Sequence, residues 1–278
     1  MKQFNQTYTK ANLLHQLSQL HIPRDRVVMV HSALRLIGNV EGGGQTILDA
    51  LIEYFTAEGG MLCFPTHTWM NLGVNDLTLD MNDPTTCTGA LPTLAAADPR
   101  GVRTENPTHS VVVFGDREKV LDFVADEAYV DSGTAPDTCC GRLWMHGGSV
   151  LLIGVTQTSN TFLHTVEERL GVPDRLTDKK YTVKIKRTNG EIVERKMRLH
   201  YTSFHPDICL RFHKYDLPFR YFGAITDGFF GNAPMQACDT VIMKEVMELI
   251  WKNNGEKDPL AEEGIIPPAL YCTQGNRQ

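Results

Sequence analysis

The chain has 278 residues, of which 42% are hydrophobic and 22% are charged, a composition typical of a globular protein with a sizeable core. Its formal net charge of −6 disfavours a nucleic-acid-binding protein and suits a cationic small-molecule partner. No apolar stretch is long enough to span a membrane, and residues 1–7 lack the apolar core of a signal peptide. We therefore expect a cytoplasmic protein that does not bind membranes.

The first half of the chain alternates strand and helix signals. Short apolar runs predict buried strands, and apolar residues at helical spacing predict helices between them. The predicted elements are, in chain order, a strand at 26–31, a helix at 45–55, a strand at 61–64, a helix at 89–97, a strand at 110–114, a helix at 117–125, a strand at 150–155 and a helix that begins near Thr161. This alternation predicts an α/β fold with a mostly parallel central sheet flanked by helices.

The second half has a different pattern. Residues 181–186 and 192–198 alternate apolar and polar side chains, and Asn189 and Gly190 between them are a strong hairpin signal. We expect an antiparallel excursion at about 178–203, a closing helix at 240–251 and a loop-like tail at 256–278. Because no repeat or linker is evident, the simplest organisation is a single domain over residues 1–278.

The seven cysteines are odd in number and include no Cys-x-x-Cys pair. This pattern argues against a disulfide framework and against a zinc ribbon, and it indicates reduced thiols in a cytosolic protein. The adjacent residues Cys139 and Cys140 are interpreted as two ordinary thiols, with the alternative that one of them lines a site.

The most informative segment follows the strand predicted at 150–155. Ser159 and Asn160 supply N-cap chemistry, and His164 falls in the first turns of the next helix. Glu167 and Glu168 follow three and four residues later, on the same helical face. A carboxylate beside an imidazole supports its charged form, as in a base that takes a proton from an amine. Most such pairs are surface ion pairs, but the end of a strand in an α/β sheet favours a ligand site.

Further segments accompany this one in a fixed order. They are residues 31–35 after a strand, 42–46 at a helix start, 65–66 at a strand end, 106–110 before a strand, 141–143, and 159–167. In their order and spacing, these segments make the chain resemble the aminoglycoside 3-N-acetyltransferase family of antibiotic acetyltransferases, in particular its branch in Gram-positive bacteria. The resemblance covers residues 27–251.

The resemblance implies transfer of an acetyl group from acetyl-coenzyme A to the 3-amino group of the central deoxystreptamine ring of an aminoglycoside, without a metal, as a means of antibiotic resistance. It also implies a set of residues that contact coenzyme A: His31, Ser32, Ala33, Leu34, Arg35, Val40, Gly42, Gly43 and Gly44. Glycines let the backbone approach a pyrophosphate, and a helix N-terminus favours anions. Alone, the three glycines match neither a dinucleotide fingerprint nor a P-loop, and a flexible turn would show the same pattern.

The resemblance further implies His164 as the catalytic base and Glu167 as its carboxylate, whereas Glu168 has no counterpart. Thr108 and Ser110 match a loop that lies near the thioester and are expected to contact coenzyme A. His109 and His67 are expected beside the acceptor, although His109 would equally fit a histidine satisfied by the backbone at a strand start. The implied reaction is direct attack of the amine on the thioester, with His164 removing a proton.

Two departures from the family pattern concern the acceptor. Asn106 stands where many relatives carry histidine, and residues 137–140 replace a segment like Gly-Ser-Pro. Acetylation of a non-antibiotic amine, or coenzyme A binding with little transfer, therefore stays open, as does a homodimer. A metallohydrolase is a more remote alternative, because His31, His67, His109 and His164 could converge, although His-Glu-x-x-His and His-x-x-Glu-His motifs are absent.

Overall fold

The apolar runs of the sequence assemble into one large sheet. A computed structural model describes residues 6–70, 77–201, 203 and 207–272. Its strands are β1 (Thr7–Tyr8), β2 (Val27–Ser32), β3 (Asn39–Val40), β4 (Met61–Pro65), β5 (Thr78–Asp80), β6 (Val102–Arg103), β7 (Val111–Phe114), β8 (Ser149–Ile153), β9 (Tyr181–Lys186), β10 (Ile192–Met197), β11 (Ile225–Phe230) and β12 (Ala233–Asp239). Within the described residues, seven strands form the main sheet in the order β11–β12–β8–β2–β4–β7–β6.

Helices cover both faces of the main sheet. They are α1 (Lys10–Ser18), α2 (Leu34–Ile37), α3 (Gly43–Thr56), α4 (Ala90–Ala97), α5 (Arg117–Phe123), α6 (Cys139–Met145), α7 (Phe162–Leu170), α8 (Asp216–Tyr221) and α9 (Thr240–Asn253). One apolar layer packs against α1, α3 and α4, and the other packs against α5, α6, α7, α8 and α9. Met29 and Val30 of β2 enter opposite layers, which explains why this strand is apolar at consecutive positions.

The parallel part of the sheet is its centre. Strand β2 pairs in parallel with β4 and with β8, whereas the flanking pairs β4–β7, β6–β7, β8–β12 and β11–β12 are antiparallel. The connection between β6 and β7 is residues 104–110, which is too short for a parallel crossover. The predicted α/β class, with a central sheet flanked by helices, is confirmed. Among the described strands the main sheet is mixed, with its parallel pairs at the centre, and short connections account for the antiparallel pairs β6–β7 and β11–β12 but not for β4–β7 and β8–β12.

The hairpin β11–β12 at the sheet edge was not predicted from the sequence. Gly228 and Pro234 interrupt the apolar pattern of these strands and weaken the strand signal. The two residues between the strands, Gly231 and Asn232, carry the missed signal, because a two-residue loop that begins with glycine favours a tight hairpin. Gly231 has a φ of +60°, as such a turn requires.

The antiparallel hairpin predicted in the second half is confirmed as β9 and β10, which pair from Tyr181 with Met197 to Lys186 with Ile192. Strand β5 joins β9 in parallel, which gives a smaller sheet in the order β10–β9–β5. In the tail, Leu260, Ile266 and Tyr271 are buried against the layer that contains α9, and residues 273–278 lie outside the described part of the chain. The single-domain organisation stays a prediction.

Two further properties concern the whole described chain. None of its helices combines the length and the apolarity that crossing a lipid bilayer requires. All seven cysteines fall within the described residues and none forms a disulfide bond. Cys139 and Cys140 are buried at the start of α6 and do not belong to the wall of the cleft described below.

Candidate active site

The carboxyl ends of the three parallel strands open into a cleft of about 910 Å³. His31 and Ser32 end β2, Pro65 and His67 lie at and beyond the end of β4, and Val155 follows β8, and all five residues line this cleft. Open α/β sheets bind their ligands at this edge, because the strand ends and the loops that follow them meet there. The cleft is therefore the candidate active site.

Four imidazole rings form a continuous row along the cleft. The ring centroids of His67 and His109 are 4.6 Å apart, those of His109 and His200 are 4.8 Å apart, and those of His200 and His164 are 4.6 Å apart. Burial lowers the pKa of His67, His109 and His164 well below the usual value, and it lowers the pKa of His200 to about 4. The rings are consequently neutral at pH 7 and can accept protons.

His164 lies on α7, and its ring is buried between His200 and Phe212. Its Nε2 is 3.1 Å from Sγ of Cys209, and burial raises the pKa of that thiol, so the thiol stays protonated and can donate to Nε2. Its Nδ1 is 3.9 Å from Oε2 of Glu167, which exceeds the length of a hydrogen bond, and Nδ1 has no other partner among the described residues. Nε2 is thus the nitrogen that carries the lone pair.

Glu167 is fully buried and is held by a guanidinium group. Arg175 donates from Nε at 2.8 Å and from Nη2 at 3.0 Å to the two carboxylate oxygens, and it also contacts Asp258 at 2.9 Å. Burial raises the pKa of Glu167 to about 7, and Arg175 opposes that rise. The carboxylate is therefore fixed in place with its Oε2 directed toward the His164 side of the helix.

Glu168, the next residue along α7, faces a different set of partners. The hydroxyl groups of Ser132 and Thr134 donate to its two carboxylate oxygens. Oγ1 of Thr134 is also 2.6 Å from Nε2 of His200, and Oε1 of Glu168 lies 3.6 Å from the same nitrogen. Glu168 is thus connected to His200 through a hydroxyl group.

Residues 108–110, directly before β7, were all expected at the site, and two of the three line the cleft. Thr108 and His109 line the cleft, and Oγ1 of Thr108 is 2.9 Å from Nδ1 of His109. The side-chain oxygen of Asn106 accepts hydrogen bonds from the backbone N–H groups of both residues. Ser110 is buried and donates to the carbonyl of Thr66 at 2.6 Å, so it supports the strand ends rather than lining the described wall.

The other residues expected to bind coenzyme A lie along the chain from β2 to α3. Ala33, Leu34, Arg35, Val40 and the glycine segment 42–44 stand outside the described cleft wall. Gly42 and Gly43 have φ values of +77° and +64°, which favour glycine, and α3 starts at Gly43. The chain therefore runs from Ser32 in the cleft wall to a glycine-rich helix N-terminus at the start of α3.

Several buried polar atoms on the cleft floor have no hydrogen-bond partner within the described residues. They are Nε2 of His31, Oγ of Ser32 and Nε2 of His67. A buried polar atom without a partner costs about 1–3 kcal/mol, so these atoms are available to a polar ligand that enters the cleft. Burial also lowers the pKa of His31 to about 4, which keeps this ring neutral.

The histidines of the metallohydrolase alternative do line one cleft. Within the part of the chain that the structure describes, however, no group of three or more His, Cys, Asp or Glu side chains is arranged to hold a metal ion. The rings contact each other in a row, at distances that suit packed imidazoles.

The sequence did not identify the distant residues that contact His164, Glu167 or Glu168. They are Ser132, Thr134, Arg175, His200, Cys209 and Phe212. Other elements and irregular connections separate them from α7, so no periodic pattern links them to the helix. The polar residues near the ends of the predicted hairpin were a signal for Arg175 and His200.

The family model described as aminoglycoside 3-N-acetyltransferase matches residues 29–250. The chain is 27% identical over 177 residues to aminoglycoside N(3)-acetyltransferase IX of Micromonospora chalcea, and the match covers 57% of this chain and 61% of that protein. It is 27% identical over 182 residues to the SPbeta prophage-derived aminoglycoside N(3')-acetyltransferase-like protein YokD of Bacillus subtilis, covering 58% and 65%. The matches thus span less than two thirds of the length of these relatives.

Solved structures share the fold at lower identity. A mutant of aminoglycoside acetyltransferase AAC(3)-IVa in complex with a gentamicin superposes with a TM-score of 0.76 and 21% identity, over 96% of this chain and 95% of that one. AAC-IIIb with CoASH gives a TM-score of 0.75 and 20% identity, over 91% and 99%. Since the family model covers most of the sequence, the chain belongs to the aminoglycoside 3-N-acetyltransferase family.

Proposed function

We propose that the protein transfers the acetyl group of acetyl-coenzyme A to the 3-amino group of an aminoglycoside, and that it thereby confers antibiotic resistance. The observation that carries the proposal is the neutral imidazole of His164 at the carboxyl edge of the parallel strands, beside a buried carboxylate. Family membership supports it, as do the names of the relatives and the solved complexes of similar proteins with CoASH and with a gentamicin. A cytoplasmic location remains part of the proposal.

We place acetyl-coenzyme A, the acetyl donor, along the residues that run from the cleft to the start of α3. The unpartnered atoms of His31 and Ser32 can bind polar groups of acetyl-coenzyme A, with the thioester in the cleft. The segment at Gly42 to Gly44 then offers free N–H groups at the start of a helix of 14 residues to the pyrophosphate. The loop residues Ala33, Leu34, Arg35 and Val40 connect these two parts of the donor site.

His164 is the base of the proposed reaction. An ammonium group has no lone pair, so the amine must lose a proton before its nitrogen attacks the thioester carbon. Nε2 of His164 is the lone-pair nitrogen, and the thiol of Cys209 that contacts it gives way to the amine. Glu167 stabilises the imidazolium that forms through the charge of its carboxylate, whose Oε2 lies 3.9 Å from Nδ1.

The acceptor is a cationic amine in this proposal. Asp207, which lines the cleft, is a carboxylate that can attract it. His67 and His109, at the far end of the imidazole row, offer neutral polar contacts to its hydroxyl groups. The residues of the departure at 137–140 are not part of the described cleft wall, and Cys139 and Cys140 are buried.

The test is a thiol-release assay with acetyl-coenzyme A and a panel of aminoglycosides, beside a panel of simple amines, with mass spectrometry of the acceptor. We expect thiol release that depends on an aminoglycoside and an acceptor heavier by one acetyl group. Transfer only to simple amines would identify the non-antibiotic alternative. Binding of coenzyme A with no transfer to any amine would overturn the proposal.

A further inference from the structure

The proposed reaction requires two proton transfers from one nitrogen. The acceptor enters as R–NH₃⁺ and leaves as R–NH–CO–CH₃, so a C–N bond forms, the C–S bond of the thioester breaks, and the nitrogen loses two protons. One proton returns to the sulfur of the departing coenzyme A, and the other goes to solvent. A single imidazole can hold one of these protons at a time, so a second acceptor in the cleft would complete the sequence.

His200 is a candidate for this second acceptor, because it lies beside His164. It lines the same cleft, and its ring centroid lies 4.6 Å from that of His164. It follows β10 and forms an isolated antiparallel bridge with Leu176, which fixes the backbone at this position. Its side chain is 22% exposed, more than the 11% of His164, so it can exchange a proton with solvent more readily.

A directional chain of hydrogen bonds sets the state of the His200 ring. The hydroxyl of Thr134 donates its single hydrogen to Glu168, so its oxygen can only accept from Nε2–H of His200. Nδ1 of His200 is then the lone-pair nitrogen. Ser132 donates to the other oxygen of Glu168 and holds the carboxylate in position. A carboxylate, a hydroxyl and an imidazole thus form a relay that can support a positive charge on the ring.

We propose that His200 is a second catalytic base, which takes the proton that the amine nitrogen loses after it has attacked the thioester, with Thr134 and Glu168 as positioning residues. This inference rests on the proposed acetyl transfer. His164 takes the first proton and returns it to the sulfur of coenzyme A. His200 takes the second proton at Nδ1 and releases it to solvent, while the relay to Glu168 stabilises the imidazolium.

The charges of the groups around His200 determine how stable its protonated ring is. The rings of His109 and His164 flank it, and both are neutral. The charge of Asp207 favours an imidazolium at this position, whereas the charge of Arg175 disfavours it. The imidazolium is accordingly a transient state, and the ring returns to its neutral form after each turnover.

The direct test is chemical rescue of His200→Ala, which leaves a space of the size of the ring. We expect kcat to fall by about 10- to 100-fold, with affinity for acetyl-coenzyme A unchanged, and we expect added imidazole to restore part of the rate. His200→Gln fills the space and serves as the control that imidazole does not rescue. A kcat within about twofold of wild type, or a loss that imidazole leaves unchanged, would overturn the inference.

The relay is tested by a second set of variants. Thr134→Val removes the hydroxyl at constant shape and should lower kcat about as much as His200→Ala, whereas Thr134→Ser should restore it. Ser132→Ala is the comparison variant: it removes one hydrogen bond from Glu168 but leaves the link to His200, so its kcat should fall less than that of Thr134→Val. Equal effects of Thr134→Val and Ser132→Ala would refute the relay. A wild-type enzyme that acetylates no amine would refute the proposed function itself, and the role of His200 with it.

Discussion

Two consecutive carboxylates of α7 have opposite surroundings. Glu167 is bound to the guanidinium of Arg175, which also holds Asp258, whereas Glu168 is bound by two hydroxyl groups and reaches His200 through one of them. Helical spacing alone places both glutamates near the face of His164. The tertiary partners, which come from distant segments, pair one glutamate with an arginine and connect the other to a titratable ring.

In the proposed mechanism the two glutamates have different roles: Glu167 places a charge beside His164, and Glu168 belongs to the hydrogen-bond chain of His200. The ion pair fixes the position of Glu167 in this mechanism, and its carboxylate acts on His164 electrostatically across 3.9 Å. Glu168 accepts a hydrogen bond from Thr134, and the direction of this bond leaves the hydroxyl oxygen to accept from Nε2–H of His200. The variants below test the two arrangements, from the largest expected effect on free energy to the smallest.

Arg175→Met should destabilise the protein by about 3–5 kcal/mol, because it leaves the buried carboxylates of Glu167 and Asp258 without their cation. The free energy of unfolding at pH 7 is the measurement. Arg198→Met is the matched control: Arg198 pairs with the partly exposed Asp131, and its loss should cost at most about 1 kcal/mol. Similar losses in the two variants would show that the buried pair contributes no more than a surface pair.

Glu167→Gln should lower kcat by roughly 10- to 100-fold, because the variant cannot stabilise the imidazolium of His164, while the affinity for coenzyme A stays within about twofold. The pKa of Glu167 is about 7 in the folded protein, so protonation at lower pH has the same effect as the substitution. The rate of the wild type should therefore fall as pH drops through 7, and this limb should vanish in the variant. Parallel pH–rate profiles would contradict the electrostatic role.

His31 can be compared with His164 and His200, because it has no carboxylate partner among the described residues. Its pKa is lowered from 6.5 to about 4, so between these pH values the unfolded chain binds a proton that the folded chain does not. Stability from this group is present above pH 6.5 and is lost as pH falls toward 4. His31→Gln should thus flatten the slope of unfolding free energy against pH in this window by about 1.4 kcal/mol per pH unit. An unchanged slope would mean that His31 is protonated in the folded state.

Much of the fold could be predicted from local patterns. Continuous apolar runs identified β2, β4, β7 and β8, because strands buried on both faces leave no polar position, and Asn189 and Gly190 identified the hairpin. The edge hairpin β11–β12 was not predicted, because Pro234 and Gly228 interrupt the pattern of apolar residues in its strands. Propensity therefore located the centre of the sheet better than its edge.

The site could be predicted only in part. His164 and the ends of β2 and β4 follow from strand–helix order, which brings them to one edge of the sheet. The partners of Glu167 and Glu168 did not follow, since Arg175, Ser132 and His200 reach α7 through irregular connections. Tertiary contacts place Glu167 beside His164 and connect Glu168 to His200, and the spacing of residues along α7 does not predict this assignment.

Single-turnover acetyl transfer by His164→Ala measures whether His164 removes a proton from the attacking amine. We expect a rate lower by about 10²- to 10⁴-fold in a variant that still binds acetyl-coenzyme A with wild-type affinity. Transfer at the wild-type rate by that variant, with the donor intact and bound, would contradict this role of His164.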